Sequence, residues 1–326
     1  MPVDPQKLSV VFWDVGQANC STLHLPDGSL IIIDTGNRGS PLIDWLGERP
    51  NKIKAVIITH NDADHVGSLP ALIDAYRDRI AEIYLLVHQT DYQEKGQKLF
   101  RRLSLAETQG MHVKRLEADK IIWENNDLGA VLRVVHPSML ENYNAGNPNR
   151  TSGILCLEMN RKVEVIWPGD APLYKVQKHC SGTSPSVLVG PHHGAPEDYR
   201  SFEGLNAIKA VNPRSNYISV STKNKYSHPR LKFIRRLEME GCNVTCSQMT
   251  TQCDRIQVLQ RRKPLIQSHA LLGLRPPRNL GITCRGPLRI DWDGNKFVHD
   301  QLVNEHYNRI SALKRAQCLR GRAKRS

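Results

Sequence analysis

The chain has 326 residues, with 45 Lys and Arg against 32 Asp and Glu, 40 % hydrophobic residues and 6 % aromatics, enough for one large domain or one domain with an appendage. No apolar run approaches the roughly 18 residues that cross a bilayer, and the opening MPVDPQKLSV has no basic-then-apolar leader pattern. Eight scattered cysteines argue for thiols or metal ligands rather than a disulfide frame, so membrane, fibrous and small secreted classes are set aside and a cytoplasmic location is expected.

In chain order, β-branched runs punctuated by Gly, Pro and Asp predict strands over 8–15, 20–25, 29–34 and 54–59, with a turn at Pro26–Gly28. From Ser68 the period changes. Leu69, Leu72, Ile73 and Tyr76 share one helix face, followed by a strand-like 82–87 and an amphipathic stretch from Gln93 to Gln109. Strands are then expected at 132–136, 153–159, 163–167, 186–190 and 216–220, with helices at 171–179 and 229–240. Two batches of consecutive strands suggest an α/β chain with two sheets covered by helices rather than one doubly wound sheet. From Thr251 the alternation breaks and the chain carries RRK at 261–263, RPPR at 275–278 and a tail with Arg320, Arg322, Lys324 and Arg325. The expected division is therefore a domain over 1–250 and a basic extension over 251–326.

Charge divides the chain more sharply than its total suggests. Residues 1–200 hold 21 basic and 24 acidic residues, while 201–326 hold 24 basic and 8 acidic, a net of +16. A surplus of that size attracts polyanions, and counterion release on phosphate neutralisation is the least specific route to nucleic-acid binding. The plain alternative is a basic solubilising surface.

The sharpest local feature is ITHNDADHVG at 58–67. Within six residues after a strand it offers His60, Asp62, Asp64 and His65, side chains that can feed two adjacent cations from one loop. Packed without a cation, two imidazoles and two carboxylates would destabilise the turn.

His-x-Asp-x-Asp-His followed by Gly, between strand and helix, resembles the metal motif of the metallo-β-lactamase superfamily, with Asp62 where many members have His. Several further motifs accompany it: Asp14-Val-Gly-Gln17, Asp34-Thr-Gly36, Gly169-Asp170, Pro191-His-His-Gly194 and Asn224-Lys-Tyr-Ser-His-Pro229. Together they resemble the metallo-β-lactamase-type domain of the ComEC DNA-uptake channels and its soluble relatives. The matched motifs run in order from residue 12 to residue 229, and the resemblance implies an αββα sandwich with a metal site at one edge between the sheets. Two departures stand out. Ala18-Asn19 replaces the family's Gly-Asp, and the stretch 147–155 lacks the third-motif His, where Asn149 and Ser152 resemble the Asn/Ser variant of the ComEC group.

The resemblance implies His60, Asp62, Asp64, His65, Asp170 and His193 as metal ligands, with Asp170 bridging. One of His192 and His193 is expected to complete the second metal and the other to face substrate, with His193 favoured as the ligand. His228 is expected near the phosphate as a ligand or a proton donor, and Lys223, Asn224 and Lys225 as a clamp on non-bridging oxygens. Asp64, His192 and His228 are the expected catalytic groups, and Asn149 and Ser152 are expected to meet substrate. A ligand set rich in hard oxygens fits two Mn²⁺ or Zn²⁺ ions, with the carboxylate share favouring Mn²⁺. Two cations ready a hydroxide for in-line attack on a phosphodiester, so the expected activity is a nuclease on DNA or RNA. Competing readings are hydrolysis of a small ester on the same fold and a non-catalytic nucleic-acid-binding module.

The other histidines, His24, His88, His112, His136, His179, His269, His299 and His306, lack partners at ligand spacing and read as surface or core, although His136 closes a strand that could reach the site. Cys242, Cys246, Cys253 and Cys284 lack paired zinc-ribbon knuckles. A structural zinc at Cys246, Cys253 and Cys284, with His269 as an added ligand, stands against ordinary buried thiols.

Overall fold

A computed structural model of the chain describes residues 7–49, 51–86, 94–143, 147–253, 268–277, 280–300 and 302–311. His88, Arg261, Arg262, Lys263, Arg278 and the basic tail lie outside the described residues.

Among the described residues, fifteen strands form two sheets. In chain order they are β1 (Ser9–Phe12), β2 (Cys20–His24), β3 (Leu30–Thr35), β4 (Ile53–Ile57), β5 (Ile80–Leu85), β6 (His112–Arg115), β7 (Ile121–Asn125), β8 (Ala130–His136), β9 (Ile154–Met159), β10 (Lys162–Trp167), β11 (Val187–Val189), β12 (Ser215–Ile218), β13 (Asn243–Cys246), β14 (Leu288–Trp292) and β15 (Phe297–His299). The first sheet runs β15-β14-β1-β2-β3-β4-β5-β6 and the second β13-β12-β11-β10-β9-β8-β7. Each joins an antiparallel half to a parallel half: β3 to β6 are parallel, as are β10 to β13. Parallel neighbours need crossovers, supplied by helices such as Leu69–Tyr76, Leu173–Cys180 and Phe202–Val211.

The period-two pattern of β3 and β9 explains the layering. Ile31 and Ile33 meet Leu155 and Leu157 in the core between the sheets. Their neighbours Leu30 and Ile32 face outward beneath Leu69, Leu72 and Ile73, and Ile154 and Cys156 face outward beneath Val176 and Cys180. Both sheets are thus buried on two faces, which is why their strands read as apolar runs rather than alternations. The result is the expected four-layer αββα sandwich. Among the described residues no helix is long and apolar enough to cross a membrane.

The boundary expected at residue 250 is not a structural boundary. β14 pairs with β1, with Ser9 opposite Asp291, and β15 extends the same sheet, so the last third completes the first sheet instead of hanging from it. Leu288 and Ile290 lie in the inter-sheet core. The sequence hid this because a basic stretch outside the described residues separates β14 from the regular alternation.

His24, on β2, gives the fold an acid limb. Burial, aided by Arg289 and Arg49, lowers its pKa from 6.5 to about 3, so the folded protein keeps the ring neutral. The unfolded chain takes up a proton near 6.5. The contribution is therefore whole above pH 6.5 and is lost as the pH falls toward 3, at up to about 1.4 kcal/mol per pH unit. His24→Gln is expected to flatten the stability–pH curve across that window, read by urea unfolding at a series of pH values.

Candidate metal centre

The C-terminal ends of the parallel strands of both sheets meet at one rim, the place where open α/β sheets present ligands. β3 ends in Asp34, β4 leads into His60–His65, β10 into Asp170, β11 into His192 and His193, and β12 into the loop that carries His228.

Asp34 is the hub of the first sheet's contribution. Its backbone is left-handed at φ +56°, a conformation Asp tolerates better than most residues. One carboxylate oxygen accepts from Thr59 N at 2.8 Å and the other from Thr59 Oγ1 at 2.7 Å, with His65 Nδ1 at 2.9 Å from that second oxygen. The opposite ring nitrogen, His65 Nε2, lies 3.0 Å from Asp170 Oδ1. This carboxylate–imidazole arrangement is the one that orients a ligating histidine. Burial opposes charge on the His65 ring, yet Asp170 and Asp34 together raise its pKa well above the usual value.

His193 repeats the arrangement from the second sheet. Its Nδ1 is 2.9 Å from the Ser219 carbonyl, which can only accept, so Nδ1 carries a proton, while Nε2 faces Asp64 Oδ2 at 3.0 Å. His192, His193 and Gly194 are consecutive left-handed residues, at φ +48°, +53° and +79°. Strain of this kind, on the order of 1–3 kcal/mol per non-glycine residue, collects at functional sites. Asp64, His65 and His193 offer ligand atoms within 4.8 Å of one another.

Asp170 is 2 % exposed. It turns Oδ1 to His65 and Oδ2 to His192, whose Nε2 is 3.6 Å away, so the side chain spans two positions as a bridging carboxylate must. Although burial opposes it, His65 and then His192 and His193 hold its carboxyl well below the usual range. Asp64 is likewise lowered to about 2 against burial, by His193 and then His65, and the neighbouring His60 ring lowers Asp62. His60 is fully buried, and neither of its ring nitrogens has a hydrogen-bond partner, with Nε2 3.3 Å from Asp62 Oδ2. A buried, unpaired imidazole beside a carboxylate is costly and fits a ligand awaiting a cation. Asp64, His65 and His193 would hold a divalent cation, with Asp170 against His65 and the His60–Asp62 pair at the same rim.

Two expected substrate contacts have their side chains engaged elsewhere. Ser152 is fully buried. Its Oγ donates to the Thr59 carbonyl at 3.1 Å and accepts from Asp170 N at 2.8 Å, so it positions Asp170 and ties the two sheets together. Asn224 spends its amide on the turn it occupies, donating to the Ser221 and His228 carbonyls and accepting from His228 N. It shapes the loop that presents His228. The Asn149 backbone carbonyl accepts from Ser152 N.

His228 is oriented by a residue that the sequence reading left without a role. Gln17 Oε1 faces Ser221 N, so its amide nitrogen donates to His228 Nδ1 at 3.1 Å, leaving the Nε2–H as a donor. Burial, then His193 and His192, lowers the His228 pKa to about 4. At neutral pH it is a neutral hydrogen-bond donor, not an imidazolium acid. Its ring lies 5.6 Å from that of His192 and 6.3 Å from that of His193.

Beside this rim lies a cleft of about 810 Å³ between the loops after β1, β3 and β12 and the segment around Ile282. Gln17, Asn37, Arg38, Ser221 and Lys223 line it, with Leu280 and Ile282 from the C-terminal third. Lys225 is not part of that lining. Its ammonium stands 5.1 Å over the Tyr226 ring.

Comparison with known proteins now bears on this arrangement. Residues 13–160 match the family described as the metallo-beta-lactamase superfamily. Over that stretch, just under half of its length, the chain is similar to this superfamily. The match includes the His60–His65 turn and ends before Asp170 and His193, which the fold brings to it. It supports a hydrolase of this superfamily and leaves the substrate open.

A hydroxyacylglutathione hydrolase of Parasynechococcus marenigrum (strain WH8102) is 45 % identical over 38 residues, which are 12 % of this chain and 15 % of that protein's length. Among solved structures, a metallo hydrolase from the archaeon Ignicoccus hospitalis has 19 % identity and a TM-score of 0.49, over 73 % of this chain and 94 % of its own. The short form of human tRNase Z has 15 % identity and a TM-score of 0.45, over 66 % and 93 %.

The cysteines of the C-terminal third do not form a metal group among the described residues. The only His, Cys, Asp and Glu groups there with ligand atoms close enough are Asp64, His65, His193 and His136, Glu141, His179. Cys284 Sγ lies 3.4 Å from His306 Nε2, whereas His269, the expected added ligand, stands 3.2 Å from Asp14 Oδ2. Cys242, Cys246, Cys253 and Cys284 pack in the apolar cluster beneath Phe233 and Leu237.

Proposed function

We propose that this chain is a two-metal phosphodiesterase that cleaves nucleic acid, DNA or RNA. The observation that carries the reading is the position of the carboxylate-rich metal rim directly beside a cleft bearing Arg38 and Lys223. The net charge of +16 over residues 201–326, which supply part of that cleft, supports the same substrate class. The ordered motifs that resemble ComEC-type domains belong with it.

When bound, the two divalent cations supply Lewis acidity toward a phosphoryl oxygen and acidify a water. The chain's own groups do the rest. Asp170 and Asp64 bring negative charge that holds the cations, and Asp34 and the Ser219 carbonyl fix the tautomers of His65 and His193. The His228 Nε2–H, held by Gln17, donates toward the oxygens on which charge develops. Lys223 and Arg38 attract the phosphates that flank the cleaved one.

The test combines metal analysis of purified protein with cleavage of labelled single- and double-stranded DNA and RNA, before and after chelation. Metal-dependent cleavage that is absent in folded Asp64→Ala and His60→Ala proteins is expected. Intact nucleic acid across Mn²⁺, Zn²⁺, Mg²⁺ and Co²⁺ overturns the reading. Turnover of bis(p-nitrophenyl) phosphate alone would assign a small phosphodiester instead, and turnover of a hydroxyacylglutathione would assign a thioester.

Arg38→Gln and Lys223→Gln give a separate check on the cleft. Each is expected to raise KM for an oligonucleotide by up to about tenfold and to reduce the salt dependence by about one phosphate contact. KM for bis(p-nitrophenyl) phosphate should move far less. Steady-state kinetics at two salt concentrations measure both.

A further inference from the structure

A second group of metal-binding side chains lies away from the rim, where β8 ends against the helix Leu173–Cys180. His136 is fully buried, and its Nε2 is 2.8 Å from the Arg150 carbonyl. A carbonyl only accepts, so Nε2 carries the proton and the neutral ring turns its Nδ1 lone pair outward. That lone pair faces Glu141 Oε2 at 3.2 Å, and Nδ1 has no hydrogen-bond partner. His179 completes the group from the last turn of the helix, its Nε2 also buried and unpartnered, with its ring 5.5 Å from that of His136. The three ligand atoms lie within 4.8 Å of one another.

Two facing sets of lone pairs need an electrophile between them, either a proton or a cation. The geometry suits the cation. Tetrahedral coordination with bonds near 2.0–2.1 Å places neighbouring ligand atoms roughly 3.3 Å apart, close to the observed separation of Nδ1 and Oε2. We propose that His136 Nδ1, Glu141 Oε2 and His179 Nε2 form a structural metal site separate from the catalytic rim. Two imidazoles and one carboxylate oxygen select zinc over the hard cations Mg²⁺ and Ca²⁺.

The charges around the group set its strength. Glu141 Oε1 is occupied by Lys175 at 2.6 Å and Lys178 at 3.4 Å, which leaves Oε2, backed by Ser138 N and Oγ, for the metal. Asp119 acts on His179 with the opposite sign to the lysines. Two nearby ammonium groups weaken a dication's hold, so this site fills after the rim. Its role follows from the Arg150 carbonyl. A metal on Nδ1 fixes the His136 ring and with it the turn Pro148–Thr151, which leads directly into Ser152 and thereby to the Asp170 amide.

Equilibrium dialysis of chelator-stripped full-length protein against Zn²⁺, followed by elemental analysis, tests the proposal. His179→Asn and Glu141→Gln alter residues outside the fully buried core and should keep the fold, checked by circular dichroism. Each is expected to bind one zinc fewer than the unsubstituted chain at saturation, while Asp64→Asn loses zinc independently, so that the combined variant loses both. The Co²⁺ protein should show visible absorption that His179→Asn diminishes. Equal zinc content in the unsubstituted chain and both variants overturns the proposal. So does a ¹⁵N spectrum of the zinc-saturated chain with a proton on His136 Nδ1, which would mark an imidazolium–carboxylate pair in place of the metal.

Discussion

Asp170→Asn is expected to lower metal-dependent hydrolysis by roughly 10²–10³-fold while leaving the fold intact. The substitution keeps the shape of a side chain that is 2 % exposed, and the backbone amide that binds Ser152 Oγ is untouched. It removes the charge that one oxygen directs to His65 and the other to His192. Metal content should fall with activity, because a neutral amide holds a dication far less well than a carboxylate. The check is kcat with metal stoichiometry on the same preparation. Unchanged turnover with full metal content would show that Asp170 is a helix-proximal aspartate with no part in the reaction.

Gly169→Ala is expected to cost about 2–5 kcal/mol of stability and to disable the same rim. Gly169 sits at φ +52°, and a Cβ there would lie 2.3 Å from Ser152 Oγ and 2.7 Å from Thr59 Oγ1. The left-handed backbone alone costs an alanine about 1–2 kcal/mol, and overpacking adds about 1–3. Neither hydroxyl can step aside cheaply. Ser152 Oγ bridges the Asp170 amide and the Thr59 carbonyl, and Thr59 Oγ1 donates to Asp34. The methyl group must break one of these links, and each one leads to a metal-facing side chain. Urea unfolding of the metal-free protein reads the stability, and zinc titration reads the rim. A stability change under about 0.5 kcal/mol, typical of an uninvolved surface site, would contradict the argument.

The layered fold was legible wherever strands are buried on both faces. β3, β4, β9 and β10 are runs of Ile, Val and Leu, and the expected positions match within a few residues. β6 and β7 escaped because they lie at the edges of their sheets, half exposed, and HVKR and IIWEN carry no sustained apolar run. The His60–His65 turn was legible because its chemistry is local. The groups that orient it were not, since Asp34 reaches His65, Ser152 reaches Asp170 and the Ser219 carbonyl reaches His193 only after the sheets close. Asn224 and Ser152 misled for a related reason. Polar side chains on loops beside a site can serve either substrate or scaffold, and their type does not distinguish the two. His136 and His179 looked solitary because their common partner comes from a helix between them in the chain.

The pairing of Ser9 with Asp291 has a consequence for biosynthesis. As the polypeptide leaves the ribosome at about 5–20 residues per second, the outer neighbour of the SVVF segment follows it roughly 280 residues later. For on the order of tens of seconds that hydrophobic border has no lid, the situation in which nascent molecules adhere to one another. Gln248 Nε2, which donates to Asp14 at 2.9 Å, also comes long after its partner. The loop bearing Gln17 therefore gains its final support, and His228 its fixed orientation, long after its own residues have been made.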